Sequence, residues 1–154
     1  MPAYYGSPCL VLQAGKTTCA LALSQVGEVM RILEVGSLPN IPPYVLGLCT
    51  IRGKPTPVVA LPALLDQPEG ERLERYVTLR IPRGTLALAV PRVLGLADLS
   101  TLELERLPPL LTQVRAEVVD SIAIREQALL LVLQAGRILP DEIWNVLPVE
   151  ASIP

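Results

Sequence analysis

From Cys9 to Leu133 the chain alternates short apolar runs with polar or kinked breaks, and the runs have the length of strands rather than helices. In the first half they are CLVLQ (9–13), CALAL (19–23), EVMRI (28–32), GLCTIR (47–52) and TPVVAL (56–61). In the second they are YVTLRI (76–81), LALAV (86–90), LGLADL (94–99), DSIAIR (120–125) and ALLLVL (128–133). All are rich in Val, Leu and Ile and bounded by Gly, Pro, Asn or Ser, which predicts short β-strands joined by turns. Helical pieces are few. Short turns are expected at Ser24–Val26 and Pro91–Val93, a coil at LPALL (61–65), and a helix at PDEIWNVL (140–147), where Pro140 and two acids stand at the start. Pro55 and Pro57 suit an edge strand or a bulge, since neither donates to a ladder.

The runs also repeat. CALALSQVGEVMRI from Cys19 lies on LALAVPRVLGLADL from Leu86 without a gap, an offset of 67 residues. Leu21 meets Leu88, Val26 meets Val93, and Val29 meets Leu96; the same offset carries Cys9 onto Tyr76. Further on, CTIR at Cys49 falls on IAIR at Ile122, an offset of 73, which implies an insertion assigned to Leu107–Thr112. On this alignment Arg125 is the mate of Arg52. Two like-folded halves follow, each a small barrel or sandwich of five strands. The first barrel is expected over about residues 8–65, a polar bridge (DQPEGERLE) over 66–74, and the second barrel over about 75–147, all within one domain spanning 1–154.

Composition narrows the function. Apolar residues make up 51% and charged residues 18% of 154, yet no run approaches the roughly 20 consecutive apolar residues of a membrane span. With no basic leader at the N-terminus, a cytoplasmic location is expected. An oily soluble chain of this kind is expected to keep apolar surface for partners. Net charge is −2, and there are only four Tyr, one Trp and no Phe, which argues against nucleic-acid binding by basic, stacking surfaces. Histidine is absent, removing His-based acid–base catalysis, Ser-His-Asp triads and His-ligated zinc. Cys9, Cys19 and Cys49 form no C-x-x-C pair and sit in apolar runs, as buried thiols do.

Two stretches imitate a phosphate-binding loop, G-x-x-x-x-G-K-[ST]. For Gly15-Lys16-Thr17 the first glycine falls on Leu10. Gly47 and Gly53 are one residue too far apart, and Pro55 replaces the hydroxyl. The repeat mate of the first stretch, Pro82-Arg83-Gly84, is a turn. The acids cluster in the bridge and near helix starts, as solvated groups do. No catalytic, cofactor or metal residue is expected, and a binding module remains. Arg52, interrupting an apolar strand and followed by Gly53, is its leading candidate, arginine being enriched at interface hot spots.

The residues VGEVMRI (26–32), PNIPPYVLGLCTIRGK (39–54) and PVVAL (57–61) resemble the CheW family of bacterial chemotaxis coupling proteins. Its pattern runs V-x-E-I, then P-N-x-P-x-Y/F-x-x-G-x-x-N-L-R-G, then P-V/I-V/I-D-L. This chain departs from it at Thr50 (usually Asn), Ala60 (usually Asp) and Ser121 (usually Gly). The resemblance implies two SH3-like five-stranded barrels with short helices, no enzymatic activity, and a role as adaptor between chemoreceptor cytoplasmic tips and a CheA-type histidine kinase. It places Val26, Glu28, Gly47, Arg52 and Gly53 on the partner-facing surface, and the repeat adds Val93 and Leu96. The groove between barrels would take a receptor helix by its apolar face. The alternatives are a scaffold or kinase-docking module of a pathway other than chemotaxis, and a barrel for a small ligand.

Overall fold

The structure, a computed structural model, describes residues 8–67, 70–98, 103–105, 116–125 and 128–148. The predicted runs are strands: β1 (Pro8–Ala14), β2 (Thr17–Ala22), β3 (Val26–Arg31), β4 (Val45–Ile51), β5 (Lys54–Ala60), β6 (Arg75–Ile81), β7 (Gly84–Val90), β8 (Arg92–Asp98), β9 (Glu103–Glu105), β10 (Val119–Arg125) and β11 (Ala128–Leu133). The helices are short: α1 (Leu61–Leu64) and α2 (Asp141–Val146), with a 3-10 turn at Leu23–Gln25 as expected. At Pro91 there is one bend rather than a helical turn, because β8 begins at once at Arg92.

Two sheets form, with strand orders β8-β1-β2-β11-β10-β9 and β3-β6-β7-β5-β4. The mainly β, SH3-like class is as predicted, but the halves of the sequence are not the two sheets. Hairpin β1–β2 of the first half lies in a sheet with β8, β10 and β11 of the second, and hairpin β6–β7 lies with β3, β4 and β5. The expected barrels over 8–65 and 75–147 are therefore replaced by two units that exchange hairpins. The exchange runs through parallel pairs, β2 with β11 and β5 with β7, at equivalent registers: Ala20↔Val132 in one sheet, Val58↔Ala87 in the other. Sequence similarity between halves survives the exchange unchanged, so it could not reveal it.

Hairpin ends correct the repeat alignment as well. Ile51 pairs with Lys54 and Arg125 with Ala128, so the later offset is 74 rather than 73. The bulges agree, lying between Val45 and Gly47 in β4 and between Val119 and Ser121 in β10. Arg52 thus corresponds to position 126, and Arg125 to Ile51. The proposed insertion at Leu107–Thr112 lies outside the described residues. Pro55 and Pro57 occupy an interior strand rather than an edge. They are accommodated because β5 meets β7 only over Val58–Ala60, leaving the proline stretch with β4 alone as neighbour.

Alternation along the exchanged hairpins explains the core. In β1 and β2, Leu10, Leu12 and Leu21 belong to one large buried cluster, while Cys9, Val11, Ala20 and Ala22 belong to a small cluster within their own sheet. In β6 and β7, Val77, Leu79, Leu86 and Leu88 join the large cluster, while Tyr76, Ala87 and Ala89 join a second small one. Both faces of these hairpins are buried. The Leu side chains of these hairpins join the large shared core, while the smaller clusters hold mainly Ala, Cys and Val, with Tyr76 the one large side chain that these hairpins add to them. Burying each such Leu contributes about 1.5–3 kcal/mol.

Candidate functional site

Arg52 and Gly53 form the two-residue turn between β4 and β5, with φ of 52° and 78°. A turn with positive φ at both positions matches the twist of a hairpin, and glycine adopts it freely. For arginine the left-handed conformation costs roughly 1 kcal/mol. A non-glycine residue held there points to a local compensation.

Glu28 supplies it. The β3–β6 ladder slips between Val26 and Val29, and opposite the slip Thr78 accepts a hydrogen bond from the Glu28 N–H at 2.9 Å. Gly27 allows this close approach, since a Cβ there would lie 2.6 Å from the Thr78 hydroxyl oxygen. The bulge puts the Glu28 carboxylate within reach of Arg52. The Arg52 Nε donates to Oε2 at 3.1 Å, and Nη2 donates to Oε1 and Oε2 at 3.0 and 2.9 Å. Because β3 and β4 are the terminal strands of their sheet, this ion pair clasps one edge to the other. In the other sheet Glu28 corresponds to Gly95, which has no side chain to do this. The clasp is exposed, with the two side chains 77% and 37% accessible.

The remaining predicted positions are dispersed. Gly47, higher on β4, has φ 142°, and an added Cβ would fall on the Gly36 carbonyl oxygen; there Gly36 and Leu48 exchange hydrogen bonds of 2.8 and 2.9 Å. Its glycine lets the 36–38 segment cover the β4 edge. Val26 is a core residue and Val93 is half-buried against the same core. Leu96 stands out on β8 at 61% exposure. Sequence reasoning did not single out Val29 and Leu94, which are also exposed. Val29 was signalled by its repeat mate Leu96. The three apolar side chains lie on β3 and β8, each a sheet's terminal strand.

The titratable groups do not suggest chemistry. Burial pushes the Cys19 thiol up to about 12 and raises that of Cys49. Tyr76 is raised by burial and by Cys49, against the lowering effect of its hydrogen bond to the Leu33 carbonyl, 2.8 Å away. Among the described residues no three His, Cys, Asp or Glu side chains gather as a metal site would require, and no helix is long and apolar enough to cross a membrane.

Two interlocked, pseudo-equivalent SH3-like sheets, one clasped by an exposed arginine–carboxylate pair, define a class of duplicated β-domain. The CheW-like domain profile matches residues 8–142, and the chain belongs to that family. It is 21% identical over 140 residues to a chemotaxis protein CheW of Treponema pallidum (strain Nichols), covering 86% of this chain and 82% of the relative. Its fold is similar to the crystal structure of the scaffolding protein TtCheW from Thermoanaerobacter tengcongensis, with TM-score 0.79, 19% identity, and coverage of 91% and 90% of the two chains.

Proposed function

We propose that the protein is a non-enzymatic, cytoplasmic adaptor that couples chemoreceptor cytoplasmic tips to a CheA-type histidine kinase. The observation that carries this reading is the Glu28–Arg52 clasp. Both residues fall on the family motif, and the fold spends a bulge and a strained turn to hold them together at the surface. A pair so exposed adds little stability, so its placement serves recognition. Val29 on β3 and Leu94 and Leu96 on β8 are exposed apolar side chains of the kind a docking protein covers. The test is reconstitution of kinase control with a receptor cytoplasmic fragment. The wild-type chain should join kinase and receptor in one sedimenting complex, and Arg52→Ala, still folded, should not. A wild-type chain that binds neither component would overturn the reading.

A further inference from the structure

A cleft of about 470 Å3 opens beside the clasp, with Glu28, Arg52, Lys54, Arg80, Arg83 and Trp144 in its walls. Four cations thus face one carboxylate, in a protein whose net charge is −2. The Glu28 carboxylate is engaged by Arg52. Arg83 donates to Asp141 at 2.9 Å and to the Asn145 side-chain oxygen at 3.0 Å, and its guanidinium lies 5.8 Å from the centre of the Trp144 ring. Lys54 and Arg80 have no carboxylate partner among the described residues. Arg80 makes only a long hydrogen bond, 3.4 Å, to the Val26 carbonyl. Trp144 is 4% exposed, and its indole Nε1–H has no acceptor among the described residues. Buried donors are seldom left so. The unmatched positive charge of Lys54 and Arg80 lines the cleft and suits acceptor oxygens.

We propose that this cleft receives a carboxylate-bearing segment of a docking protein, with Lys54 and Arg80 each meeting one carboxylate. Arg52 and Arg83 are already paired, so the two unpartnered cations set the number of charges recognised. Singly charged carboxylates spread along the cleft avoid the fixed Glu28, against which a compact dianion such as phosphate would be pressed. The source of the segment rests on the adaptor reading, whereas the cleft's preference for carboxylates does not.

Trp144 is the sole tryptophan, so its fluorescence reports the cleft directly. Titration with a tetraglutamate peptide should give a saturable emission change that weakens as salt is raised from 50 to 500 mM, and tetraglutamine should give none. Lys54→Gln/Arg80→Gln should bind tetraglutamate roughly tenfold more weakly, with circular dichroism confirming its fold, while Lys16→Gln in the β1–β2 turn should match wild type. No response in wild type, an equal response to tetraglutamine, or a response to inorganic phosphate alone would overturn the proposal. An undiminished response in the folded double variant would do the same. Because the titration contains no kinase or receptor, a positive result beside failed reconstitution would sink the adaptor reading and leave the cleft standing.

Discussion

Replacing Arg52 separates two effects that the native turn combines. Arg52→Ala removes the clasp but keeps a side chain at φ 52°, so the conformational cost stays and the compensation goes. With the pair 77% and 37% exposed, the loss is about 0–1 kcal/mol, a fall in Tm of about 2–4 °C at most for a chain of this size. Arg52→Gly also loses the clasp but relieves roughly 1 kcal/mol of left-handed strain, offset by the extra freedom of glycine in the unfolded chain. Its stability should therefore lie within about 1 kcal/mol of wild type. A double-mutant cycle with Glu28→Gln should return a coupling below about 1 kcal/mol. Thermal melts followed by circular dichroism measure all of this, and the reconstituted kinase assay runs beside them. Both Arg52 variants should fold and both should lose coupling. A variant that unfolds would show the clasp to be structural, and one that couples like wild type would remove Arg52 from the partner surface.

The glycines of the motif should differ. Gly47→Ala places a Cβ on the Gly36 carbonyl at φ 142°, so urea melts should show a loss of about 3 kcal/mol or more, the upper end of backbone strain before the overlap is added. Gly53→Ala meets nothing within 4 Å and should cost about 1 kcal/mol for its positive φ alone. Leu96→Glu, on an exposed site, should leave the melt within about 0.5 kcal/mol of wild type and weaken co-sedimentation with the kinase. Tyr76→Phe forfeits the hydrogen bond to the Leu33 carbonyl and should cost about 1 kcal/mol. The Cys19 thiol, near 12 when folded against 9.0 unfolded, keeps a proton that the unfolded chain releases. Its contribution is fully present below pH 9.0 and declines by about 1.4 kcal/mol per pH unit up to the folded value. Denaturant melts between pH 8 and 10.5 should show this slope, and Cys19→Ala should flatten it by one proton.

Strand identity was legible because period-2 patterning and turn residues are local, and each predicted run became a strand. Sheet membership was not. Leu21 and Leu88 occupy equivalent places in either wiring, so no apolar pattern distinguishes a half that keeps its hairpin from one that gives it away. β9 was missed because three residues carry no readable period. Arg52 was noticed as a charge within an apolar run, and Glu28 was singled out only through the family motif; their pairing came with the fold, since the β3 bulge that aims Glu28 has no signature beyond Gly27. Nothing in the sequence singled out Lys54, Arg80 and Arg83 as a group, because convergence from β5, β6 and a turn onto α2 is a property of packing.

The traded hairpins carry a consequence for how the molecule is made. A ribosome releasing residues 1–65 has delivered a hairpin whose neighbours do not yet exist, together with a sheet still lacking its middle. Neither piece completes itself, so cutting the backbone within 66–74 should yield fragments that fold only when mixed. In the intact chain that link holds the complementary pieces at an effective concentration near millimolar, and self-completion outruns exchange with a neighbour. Shortening the link would reverse the competition, and each chain would then lend its hairpin to the next.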